Sequence, residues 1–84
     1  MDIDAWMNDL IDQLKTEFKE RLVLVGLQGS RARGEQREDS DIDIVVVIED
    51  LNANDLASYR SVVQRMPHAE LACGFIGSPD VLAA

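Results

Sequence analysis

Ile3, Met7, Leu10, Ile11, Leu14 and Phe18 recur at three- and four-residue steps, which predicts an amphipathic helix over residues 2–20. The pattern then changes. Leu22 to Leu27 (LVLVGL) is a continuous apolar run that predicts a strand buried on both faces, ended by Gly29 and Ser30. Residues 31–40 (RARGEQREDS) are almost wholly polar and read as a connection with a short helical turn at its start. Asp41 to Glu49 (DIDIVVVIE) is rich in Ile and Val and predicts a second strand. Asn52 or Asn54 caps a second helix, with Asp55 in its first turn; Leu56, Tyr59, Val63 and Met66 form its apolar stripe and Pro67 stops it. Residues 70–76 (ELACGFI) predict a third strand. Ser78-Pro79-Asp80 then has the chemistry of a new helix start: a capping Ser, a Pro at the first helical position and an acid beside the dipole. The order predicts an α/β (α+β) fold, a small mixed sheet with helices packed on one face. The unfinished last helix leads us to expect that residues 1–84 are one domain at the N-terminal part of a longer protein.

Composition narrows the class. A chain of 84 residues buries only ~60–65% of its unfolded surface, so its stability is expected to be marginal. Hydrophobic residues make up 46% and aromatics 5%, which fits a globular aliphatic core. No apolar run approaches the ~20 residues that span a bilayer. The chain opens with Asp2 and Asp4 and lacks a basic signal-peptide region, and its single cysteine, Cys73, cannot form an internal disulfide. A cytoplasmic location with no membrane contact is therefore expected. The net charge of −8 argues against a long nucleic acid as ligand of this domain alone, because such binding comes from neutralising phosphates. Yet Arg31, Arg33 and Arg37 fall within one short segment, which either offsets Glu35, Glu38 and Asp39 beside them or suits a small anionic ligand.

The chemistry concentrates between Gly29 and Asp43. Asp41 and Asp43 are two apart on a predicted strand, so both carboxylates point to one face. Hard Mg²⁺ prefers such oxygens and usually takes one or two carboxylates plus substrate phosphates. Two metal ions ~3.5–4 Å apart are common in phosphoryl-transfer sites. At the other end of the segment, Gly29 lets the backbone approach a phosphate closely, and free N–H groups there with the Ser30 hydroxyl can hold its oxygens. Arg33 can add a charge-assisted contact. Phosphate donors at one end and metal ligands at the other are what a nucleoside triphosphate requires.

These residues resemble the signature of the DNA polymerase beta-type nucleotidyltransferase superfamily: Gly-Ser, roughly ten residues, then Asp-x-Asp. The similarity is closest to the GSxARG…SDID form of minimal nucleotidyltransferases and some antibiotic-modifying relatives, met here by Gly29, Ser30, Ala32, Arg33, Gly34, Ser40, Asp41, Ile42 and Asp43. The resemblance implies that Asp41 and Asp43 hold two Mg²⁺ ions and bridge them to the triphosphate. It implies that Gly29 and Ser30, with Arg33 and Ser40, bind the nucleotide, and that a substrate hydroxyl attacks the α-phosphorus in line while pyrophosphate leaves. It also implies a third carboxylate on the next strand, as metal ligand and catalytic residue. Glu70, at the start of the predicted third strand, is the residue in place for it, although the family more often has Asp there.

The expected function is transfer of a nucleoside monophosphate, from ATP, to a hydroxyl on a partner protein, an RNA end or a small molecule such as an aminoglycoside. The alternative is a non-catalytic module that binds a nucleotide or a partner, such as an antitoxin paired with a HEPN-type toxin. A third reading is a metal- or phosphate-binding α/β domain unrelated to this superfamily. Of the remaining residues, His68 is assigned to a turn, Cys73 to the core with Leu71 and Phe75, and Trp6 to local packing, with a partner surface as its alternative.

Overall fold

The computed structural model of the protein describes residues 2–28 and 41–79. Helix α1 (Ile3–Phe18) begins where the Asp2 side chain accepts from the Ala5 N–H at 3.2 Å, with Asp4 in the first turn and Lys15 in the last. Both charges complement the helix dipole. Its buried residues are Trp6, Met7, Leu10, Leu14 and Phe18, so the predicted stripe is the face that packs. Lys19, at positive φ, ends the helix, and a short 3₁₀ turn (Lys19–Arg21) leads into β1 (Leu22–Gln28).

Strand β2 (Ile42–Ile48) lies in the middle of a three-stranded sheet, between β1 and β3 (Ala72–Gly77). It pairs antiparallel with β1 and parallel with β3, so the sheet is mixed as expected. A parallel pair needs a crossover. Helix α2 (Ala53–Gln64) supplies it, followed by a 3₁₀ turn (Ala69–Leu71). Alternate residues of β2, namely Ile42, Ile44, Val46 and Ile48, are fully buried in one cluster with Leu10 and Leu14 of α1 and Val62 of α2. That places both helices on one face of the sheet.

Four expectations need correction. β1 is an outer strand of the described sheet: Val23 and Leu24 are about half exposed, so its apolar run is not buried on both faces. An unbroken apolar run does not distinguish a central strand from an outer one, and only β2 has a neighbour on each side. The third strand starts at Ala72, two residues later than expected, because Ala69–Leu71 is a 3₁₀ turn. Of the expected stripe of α2, Tyr59, Val63 and the following Met66 pack against the core but Leu56 is exposed, and the buried residues of the helix itself are Asp55 and Val62. Cys73 is exposed. Trp6 packs locally: it is buried, and its indole N–H donates to the Pro67 carbonyl at 2.6 Å. His68 sits in a turn, in the left-handed region. The expected helical turn within 31–40 and the helix beyond Asp80 lie outside the described residues.

Candidate active site

Asp41 immediately precedes β2 and Asp43 is its second residue. Both alternate with the buried Ile42 and Ile44, which face the helices, so the two carboxylates lie on the opposite face of the sheet, the face on which Val47, further along β2, is fully buried. Asp41 is exposed and Asp43 half-buried. Across the sheet, Asp43 pairs with Gln28 of β1 on one side and with Cys73 of β3 on the other. Gln28 is the residue directly before Gly29-Ser30. The sequence segment expected to hold phosphates therefore leaves β1 beside Asp43. Gly29, Ser30, Arg33 and Ser40 themselves lie outside the described residues.

Glu70 is exposed and sits in the 3₁₀ turn ahead of β3. The strand position beside Asp43 belongs instead to Cys73. Among the described residues no three His, Cys, Asp or Glu side chains form a group able to hold a metal, so Glu70 is not gathered with Asp41 and Asp43. The carboxylate pair is still a set of hard oxygen donors on an accessible face, and such donors suit a hard divalent cation. The Cys73 thiol is pushed above its ordinary pKa, first by desolvation and then by the charges of Asp41 and Asp43, as expected for a thiol beside two carboxylates.

Two further features had only faint sequence signals. Arg21, just ahead of β1, reaches the β2–α2 connection: its guanidinium donates to the Glu49 and Asp50 carbonyls, each at 3.2 Å, and forms an ion pair with Asp55. Asp55 is buried and also completes a capping box with Asn52, each accepting from the other's backbone N–H at 3.0 Å. The three-residue step from Asn52 to Asp55 is the capping-box spacing and selects Asn52 over Asn54. The second feature is a groove of about 250 Å³ between the C-terminal half of α2 and the start of β3, lined by Tyr59, Arg60, Gln64, Ala72 and Cys73 among others. Tyr59 and Val63, and likewise Arg60 and Gln64, stand four apart and so share a helix face. Burial raises the pKa of the Tyr59 hydroxyl, which keeps it a neutral donor.

The model of the nucleotidyltransferase domain family matches residues 7–71, from α1 to the turn ahead of β3. The chain belongs to the nucleotidyltransferase domain family. No curated protein sequence matches it. Membership excludes the reading as an unrelated α/β domain. In this nucleotidyltransferase domain, the match contains the whole Gly29–Asp43 segment and Glu70, and it stops short of Cys73. No helix among the described residues is long and apolar enough to cross a membrane.

Proposed function

We propose that this nucleotidyltransferase domain transfers a nucleoside monophosphate from a magnesium–nucleoside triphosphate, ATP in the first instance, to a hydroxyl acceptor in the cytoplasm. One observation carries the reading: Asp41 and Asp43 share one face at the start of the central strand, and Asp43 pairs with Gln28, the residue before Gly29-Ser30 in the sequence. Asp41 and Asp43 would hold Mg²⁺, two ions by resemblance, and the bound metal would supply charge neutralisation on the phosphoryl oxygens. Gly29 and Ser30 would bind the β- and γ-phosphates, with Arg33 and Ser40 completing the nucleotide site. The acceptor oxygen forms a bond to the α-phosphorus, the bond from that phosphorus to the bridging oxygen breaks, and pyrophosphate leaves with the electron pair. The hydroxyl proton passes to solvent or to a carboxylate. What the chain contributes is position and charge complementarity.

The place of Glu70 in a turn, rather than on β3, favours a second reading in which the domain binds nucleotide, or a partner such as a HEPN-type toxin, without turnover. Magnesium-dependent release of pyrophosphate from ATP, followed with a panel of hydroxyl acceptors, separates the two. The first reading expects turnover that Asp41→Asn and Asp43→Asn each abolish. If Glu70 is the third ligand, Glu70→Asp retains some turnover and Glu70→Gln loses it. Nucleotide binding with no turnover for any acceptor would favour the second reading.

A further inference from the structure

β1 has β2 on one side and, among the described residues, no strand on the other. Such an edge presents N–H and C=O groups that a further strand can pair, and proteins commonly blunt it with a lysine or a proline. The seven residues of β1 (LVLVGLQ) contain neither, and none of them is charged. In a chain with 29% charged residues, the uncharged edge marks a surface suited to contact rather than to water. Two of the four exposed large hydrophobics, Val23 (52% exposed) and Leu24 (48%), are adjacent on this strand. The one irregularity in its pairing with β2 falls between Leu22 and Leu24, so the strand is regular from Leu24 to Gln28.

The side chains along this edge are complementary to themselves. Leu24 and Gly26 pair with Val47 and Val45, so both lie on the sheet face away from the helices. A Cβ at Gly26 would meet nothing within 4 Å, which leaves open space beside the strand at that point. Consider a second β1 laid antiparallel along the edge, with Val25 opposite its own copy. Leu24 of each copy then stands opposite Gly26 of the other and covers it, once on each side of a two-fold axis. The central rung is a pair of β-branched valines, which suits a strand. We propose that two copies of this chain pair through β1 in this register, joining their three-stranded sheets into one. The pairing does not depend on the nucleotidyl-transfer reading above.

The other outer strand, β3, is a poorer template. Gly74 in its middle has φ +129°, which breaks the regular run of an extended strand. Symmetry also favours β1 with itself: an isologous contact uses one edge per copy and closes at two, whereas β1 against β3 would leave edges for further copies. Charge sets how the dimer responds to salt. Two chains of −8 repel each other, but no charge lies on β1, so the repulsion acts from a distance. Salt screens such repulsion, with a Debye length of about 8 Å at ~0.15 M. Salt therefore strengthens this dimer, whereas it would weaken a contact with a cationic partner. One strand pair is a small interface, so the dimer forms reversibly with concentration.

Analytical ultracentrifugation of the full chain over a wide range of concentration, at low and at moderate NaCl, tests the pairing. The average mass is expected to rise from that of one chain towards that of two, and to rise further with salt. Gly26→Lys places a charged side chain where Leu24 of the other copy would lie. It meets nothing in its own chain, so the dilute variant should keep the parent's melting curve and stay monomeric. Because it lowers the net charge, the loss of pairing could not come from added repulsion. Cross-linking tests the register, in a Cys73→Ser background that removes the native thiol. Opposite residues of an antiparallel pair have Cα atoms about 4.5–5.5 Å apart, within disulfide range. Leu24→Cys mixed with Gly26→Cys should thus cross-link on oxidation. Either variant alone should not, since its cysteines stand on a diagonal about 7–8 Å apart. A mass of one chain at every concentration and salt would overturn the proposal. So would a dimer that Gly26→Lys leaves intact, a mass that grows past two chains, or a mixture that cross-links no better than its components.

Discussion

Two glycines in the sheet show how strongly a single position can be constrained. Gly74 has φ +129°, and a Cβ there would lie 1.9 Å from the Ile44 carbonyl oxygen, inside the backbone of the central strand. Gly26, on β1, would meet nothing within 4 Å. Gly74→Ala is therefore expected to cost at least about 2 kcal/mol by urea denaturation, and Gly26→Ala to stay within about 0.5 kcal/mol. Asp55 offers a pH test at the same scale. The Arg21 guanidinium, with help from the Asn52 N–H, holds its carboxyl below the ordinary value. A carboxyl depressed on folding stabilises above its unfolded pKa, and that contribution is lost as pH falls through the folded one. Thermal melts should thus show a contribution from Asp55 that is constant through neutral pH and fades only in acid below the usual carboxylate range. Asp55→Asn should lower the melting temperature at neutral pH and narrow its gap to the parent as pH falls through that acid window.

The elements were legible to the degree that a period or a spacing specified them. The three- and four-residue steps of α1 gave the correct buried face, because a helix stripe has one solution once the period is known. In β2, the alternation of Asp41, Ile42, Asp43 and Ile44 predicted which side each residue would occupy, and Ile42 and Ile44 are fully buried. The apolar run of β1 carried no such information about its place in the sheet. The residue beside Asp43 on β3 was also invisible, since register between strands distant in sequence is a tertiary fact: one 3₁₀ turn moved Glu70 off the strand and brought Cys73 into line. The groove between α2 and β3 leaves no signal in the sequence, because its lining comes from two elements. At this scale the cap of α2 is testable. Asn52→Ala removes one half of the capping box and should cost about 1 kcal/mol, read from the shift in the urea midpoint.

For the whole molecule, the core residues and the proposed metal ligands lie on opposite faces of the same strand. The helix-covered face holds Ile42, Ile44, Val46 and Ile48, packed with Leu14 of α1 and all without exposure, and Leu14→Ala is expected to cost about 2–5 kcal/mol. For a domain of this size, whose total stability is of order 5–10 kcal/mol, that loss would leave a large part of the population close to unfolding. The other face holds Asp41, which is exposed, and Asp43, which is half-buried; their replacement by Asn alters charge without touching the helix-side core and so should leave the fold intact. This separation makes one measurement decisive for the central claim that the aspartate pair serves a metal–triphosphate: titration calorimetry of ATP with and without Mg²⁺, for the parent and for Asp41→Asn/Asp43→Asn. Binding by the parent is expected to require Mg²⁺ and to be lost in the double variant while its melting curve stays two-state. Binding that is indifferent to Mg²⁺, or that persists undiminished in the folded double variant, would contradict it.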